Sequence, residues 1–183
     1  MIDIPILSQR DLLWAGKLLG FSTNPLDTLG KAGCAVTALA MLINATHPLD
    51  ESVTPAMVNT ALKDSDAFIG PTRNNVAWYR VPSLWPRLSY YKRIDAPNRP
   101  LRPGEMAEIN RRLMWDIPVI AYVDGRKSEP GVQQHFVLIV GHDPHSRDYI
   151  IADPWFSDAV PLCKRYGPTP EIATCGLILY DAS

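Results

Sequence analysis

No apolar run in this sequence is long enough to cross a bilayer: the most apolar stretch, residues 34–45, falls short of the roughly 20 that a membrane helix needs. Nor is there an excess of one charge. The 18 Lys and Arg are balanced by 19 Asp and Glu, and the scattered basic residues provide no electrostatic footprint for nucleic acid. The N-terminus Met1-Ile2-Asp3-Ile4-Pro5 lacks the basic start and apolar core of a secretory signal. A cytoplasmic protein without membrane association is therefore expected, and release by cell lysis would leave no mark in the sequence. Cysteine is scarce. Three residues cannot all pair; Cys163 and Cys175 flank a loop and could bridge, but thiols are the expected state in a cytosolic chain.

The 183 residues, 46% hydrophobic and 20% charged, suit one domain with its own core. Leu12, Leu13, Trp14 and Leu18 suggest a short helix stopped near Gly20. Residues 34–44 spell a helix buried on most sides. Thr54-Pro55 opens another through about Lys63, with threonine as cap and proline at the first position. Residues 66–104 have no clear period, hold aromatic rings from Trp78 to Tyr91, and contain six of the 17 prolines. Those rings pack a loop layer onto the core or wall a cleft.

A helix from Pro103 to about Trp115 follows, then strands over 118–123, 134–141, 148–152 and 174–180, rich in Val, Ile and Tyr. Helices first and a mostly antiparallel sheet second make the fold class α+β, with a helical part over about 1–115 and a sheet part over about 116–183. Asp143-Pro144-His145-Ser146 reads as a hairpin turn.

Three residues carry reaction chemistry. Cys34 follows Gly33 at the mouth of the apolar helix, where amide dipoles favour a thiolate and the backbone allows close approach. A buried structural cysteine is the plainer alternative. His135 interrupts an apolar strand at its start, so it can face a cleft while Phe136-Val137-Leu138-Ile139-Val140 anchors it. Asp153 ends the next strand, within reach of His135 across a hairpin, and could accept the second ring N–H. Cysteine, histidine and aspartate in that order are a nucleophile, its base and the group orienting the base. Gln9 adds an amide that could stabilise an oxyanion together with the Cys34 N–H.

These residues resemble the papain-like cysteine peptidases, in particular the bacterial group related to double-glycine leader peptidases, the peptidase C39-like group. The likeness lies in Leu7-Ser8-Gln9-Arg10-Asp11 with Trp14, Gly33-Cys34, Ile117-Pro118-Val119-Ile120, Gln134-His135-Phe136-Val137 and Ala152-Asp153-Pro154-Trp155. It implies a papain-like fold and peptide hydrolysis through Cys34, His135, Asp153 and Gln9, without cofactor or metal. The partner implied is a peptide or protein substrate. Two features differ from true leader peptidases. Gln9 precedes Cys34 by 25 positions rather than a few, and transporter domains are not evident, so leader cleavage during export is not expected.

Two other classes compete: a peptidoglycan amidohydrolase resembling a phage lysin, and a noncatalytic binding or virion-structural module. A metal site at His142, Asp143, His145 and Asp148 is the weakest option, because their spacing matches no strong zinc pattern.

Overall fold

The computed structural model describes residues 1–47, 52–126 and 128–183. In chain order its elements begin with α1 (Leu29–Ala32), α2 (Cys34–Thr46), α3 (Pro55–Asp64), β1 (Phe68–Ile69) and β2 (Asn75–Val76). A 3-10 turn over Trp78–Ser83, β3 (Leu88–Asp95), α4 (Pro103–Leu113) and β4 (Val119–Asp124) follow. The chain finishes with β5 (Gln134–His142), β6 (Tyr149–Asp153), β7 (Asp158–Pro161), α5 (Cys163–Tyr166), α6 (Pro170–Ala173) and β8 (Thr174–Ala182). The class is α+β. Six strands form one sheet in the order β3-β8-β4-β5-β6-β7, with every neighbouring pair antiparallel.

Both faces of this sheet are covered, which explains why its central strands are continuously apolar rather than alternating. Along β4 and β5, Ile120, Tyr122, Phe136, Leu138 and Val140 point to a core shared with α2 and α3. Their sequence neighbours Val119, Ala121, Val123, Val137 and Ile139 point to a second core, shared with Ile109 of α4 and Tyr166 of α5. Residues 36–43 of α2 are all buried, as its unbroken apolar sequence requires. The Thr54 cap forms as expected, its side chain accepting the Met57 N–H at 3.2 Å, with Pro55 at the first helical position. In the first turn of α4 is Glu105, whose carboxylate accepts the Arg102 N–H at 2.7 Å. Hydrogen bonds from Arg99 hold that carboxyl down at about 2.

Three local expectations change. Residues 12–20 form turns rather than a helix: Leu12 and Leu13 are exposed. Trp14 is anchored, donating its indole N–H to the Ser8 carbonyl at 2.8 Å, and Leu19 joins it in the core. The seemingly aperiodic stretch contains β3, an edge strand whose alternation is broken by a register shift between Tyr90 and Lys92. Sequence alone also missed the short edge strand β7. Trp78, Trp85 and Tyr90 pack on the core, with Tyr90 edge-on to Tyr180 at 5.7 Å, whereas Tyr79 and Tyr91 are exposed; Trp78 also lines a cleft.

Among the described residues, no helix is long and apolar enough to cross a membrane. The three cysteines are thiols. The 143–146 turn forms, with Asp143 accepting from the His145 N–H at 3.2 Å and the Ser146 hydroxyl at 2.6 Å. Buried Asp148 accepts the N–H groups of Tyr149 and Cys163, both at 2.8 Å. Those contacts account for two of the side chains in the proposed metal cluster.

Candidate active site

Cys34 is the first residue of α2. The chain reaches it through α1 and a single linking glycine, and a side chain at Gly33 would collide with the Leu29 backbone. That close approach places the half-buried sulfur at the helix N-terminus, where backbone N–H groups lack acceptors within the helix. His135 sits at the start of β5, opposite Val123 of β4. Gly125 makes room for it, since a Cβ there would lie 2.9 Å from the Cβ of His135. Asp153 is the last residue of β6 and is fully buried.

The hairpin pairs Leu138 with Ala152, so the side chain after Ala152 reaches back toward the start of β5. His135 Nε2 and Asp153 Oδ1 are 2.8 Å apart. With Nε2 engaged by the carboxylate, Nδ1 is the ring nitrogen left to face Cys34, which lines the same cavity. Cysteine, histidine and aspartate thus come together in the order in which their chemistry would use them.

The carboxylate is well supplied with donors. Asp153 Oδ1 also accepts the Trp155 N–H at 3.0 Å, and Oδ2 accepts the Tyr166 hydroxyl at 2.6 Å and an Arg165 N–H at 3.1 Å. Burial pushes the Asp153 carboxyl up, but the hydrogen bond and charge of His135, with Tyr166 and the Trp155 amide, bring it below its ordinary value. Burial opposes charge on His135 as well. The hydrogen bond to Asp153 and the hydrogen bond and charge of Cys34 outweigh it, lifting His135 to about 9. An imidazole held there is an imidazolium at neutral pH, and an imidazolium beside a thiol favours the thiolate. Tyr166 is itself pushed far up, by burial and then by its bond to Asp153.

Gln9 is buried beside this cluster. Its backbone N–H donates to the Pro154 carbonyl at 2.9 Å, tying it to the turn after Asp153. One Nε2 hydrogen goes to the Gly30 carbonyl at 3.2 Å, leaving the other uncommitted. Its Oε1 has no hydrogen-bond partner among the described residues. Gln9, Cys34, His135 and Trp155 line one cavity of about 490 Å³. A second cavity, of about 400 Å³, lies against Cys34 and is lined by Val36, Asn75, Trp78 and Phe136. Among the described residues, no group of three or more His, Cys, Asp or Glu is arranged to hold a metal ion.

Sequence reasoning missed Tyr166 and Arg165. Neither belongs to a periodic segment, and the helix bringing them to Asp153 is a single turn.

The chain belongs to the Peptidase_C39 like family, whose sequence model matches residues 1–167. Membership points to peptidase chemistry on a peptide or protein substrate. No curated protein matches the chain.

Proposed function

We propose that the protein is a cysteine peptidase in which Cys34 is the nucleophile, His135 the acid and base, Asp153 its orienting group, and Gln9 an oxyanion donor. The observation carrying this reading is the imidazole of His135, 2.8 Å from buried Asp153, on the same cavity wall as Cys34, and raised to about 9 by both.

The Cys34 thiolate adds to the carbonyl carbon of the scissile amide, and negative charge develops on the carbonyl oxygen. The free Nε2–H of Gln9 and the Cys34 amide N–H stabilise that oxygen. His135 then gives its proton to the departing nitrogen as the C–N bond breaks, leaving a thioester on Cys34. Neutral His135 next takes a proton from water, whose oxygen attacks the thioester, and the thiolate leaves with the acid product. Asp153 stays ionised throughout, fixing the ring and stabilising its charged form.

A neutral thiol-directed alkylating probe tests the reading on the wild type, Cys34→Ala and His135→Ala. Rapid labelling at pH 7 confined to Cys34, and slowed on the order of a hundredfold without His135, is expected. Labelling of Cys34 no faster than that of free cysteine, or equal labelling of Cys163 or Cys175, overturns it. Comparing hydrolysis of peptides with that of cell-wall fragments separates a peptidase from a peptidoglycan amidohydrolase.

A further inference from the structure

The two cavities meet at Ala32, Cys34 and Gln134, which line both. His135 lines only the first. Because His135 hands its proton to the departing nitrogen, the part of the substrate beyond the scissile bond belongs in that first cavity, and the acyl part in the second. This step rests on the peptidase reading above.

Charge is unevenly spread around the first cavity. Lys31 and Arg126 line it, and no Asp or Glu does, although acids outnumber bases by one in the whole chain. Lys31 is exposed in the last turn of α1, three residues before Cys34, and forms no salt bridge among the described residues. Arg126 follows Gly125 on the β4–β5 connection. Its ion pair with Glu129, at 2.9 Å, has side chains 68% and 44% exposed, and pairs so open to water are weak enough to exchange partners. Trp155 and Phe156 add aromatic surface to the same wall.

We propose that the substrate carries an acidic side chain within the first positions after the scissile bond, held by Lys31 and Arg126. Two cations around one water-filled cavity repel each other, and an anion between them turns that repulsion into attraction on both sides. The site is open, so the preference is modest and sensitive to salt. From the strength of exposed ion pairs, two such contacts give a selectivity on the order of fivefold to tenfold.

The test digests a mixed peptide library with the wild type and two double variants, Lys31→Gln with Arg126→Gln and Lys31→Glu with Arg126→Glu. Mass spectrometry identifies the residues flanking each cut. Asp and Glu should be enriched about fivefold to tenfold after the cut by the wild type. The neutral variant should lose that enrichment and the acidic variant should shift it toward Lys. In a second arm, anionic iodoacetate and neutral iodoacetamide compete for Cys34. Their rate ratio should fall severalfold in the neutral variant and on adding salt. Cleavage without acidic enrichment, or a ratio indifferent to the two cations, overturns the inference and leaves the peptidase reading standing. A library left uncut sinks that reading and the inference with it.

Discussion

The hydroxyl of Tyr166 donates to Asp153 Oδ2 at 2.6 Å, while His135 occupies the opposite oxygen of the same carboxylate. A fully buried carboxylate is costly unless its lone pairs are filled. Tyr166, Arg165 and the Trp155 amide fill those that His135 does not. The imidazole therefore meets a carboxylate that is held in place and ionised.

Tyr166→Phe removes one of these donors while keeping the ring. A loss of about 2 kcal/mol at pH 7 is expected, typical for a hydrogen bond to a charged group. Asp153 is held below its ordinary value in the folded state. Its stabilisation is therefore present above the unfolded value near ~3.9 and is lost as pH falls through the lower folded value. Urea unfolding of wild type and variant should differ at pH 7 and converge toward pH 2. A difference unchanged by acid would mean that the hydroxyl acts through packing alone.

His135 gives the opposite dependence. It stands at about 9 in the folded protein, against ~6.5 in an unfolded chain. The folded state holds a proton that the unfolded state releases, so the stabilisation is complete below pH ~6.5 and disappears as pH rises through about 9. The stability gap between wild type and His135→Ala should shrink by roughly 3 kcal/mol between pH 6 and pH 10. The same proton is the one given to the leaving group, so kcat/KM should fall on an alkaline limb near 9. Parallel unfolding curves across that range would refute the charged imidazole.

The parts of the site that sequence revealed are polar residues interrupting apolar runs. Cys34 stands at the edge of an unbroken helical stretch, His135 where β5 begins, and Asp153 before a proline where β6 ends. Burial on both sides makes such interruptions conspicuous. Tyr166 and Arg165 escaped notice because their helix is one turn long and their partner Asp153 lies 13 and 12 residues earlier, beyond the reach of any helical or strand period. Strand β3 was hidden by its edge position and broken register. Residues 12–20 misled in the other direction: Leu12, Leu13 and Leu18 stay exposed despite their helix-like spacing, because the turn is anchored by Trp14 and Leu19.

Gln9 separates oxyanion stabilisation from packing. Gln9→Ala should lower kcat by about 10² to 10³ with little change in KM, as loss of one oxyanion donor does. The bond from Gln9 Nε2 to the Gly30 carbonyl is also lost, so a stability loss of about 1 kcal/mol should accompany it. Gln9→Glu keeps the shape but puts an ionised acceptor where a donor is needed, and should be at least as slow. Steady-state kinetics that place the whole effect in KM would assign Gln9 to substrate binding.

Gly125 packs against His135 at the edge of the same cavity without belonging to the reacting group, and it offers a test of how closely the imidazole is held. Its backbone conformation is not left-handed, so Gly125→Ala changes space without imposing strain of that kind. The added methyl would sit 2.9 Å from His135 Cβ and 3.3 Å from the Gln133 carbonyl oxygen; His135 belongs to β5, and the Gln133 carbonyl is held by the Gly125 N–H at 2.8 Å, so neither has much freedom to retreat. Overpacking of this sort costs about 1–3 kcal/mol. The ring is expected to shift away from Asp153, so the His135 titration, followed by NMR, should move down from about 9 and Cys34 labelling at pH 7 should slow together with it. A variant destabilised by that amount but with an unmoved titration would show that the sheet absorbs the methyl elsewhere and that Gly125 has no part in holding the imidazole.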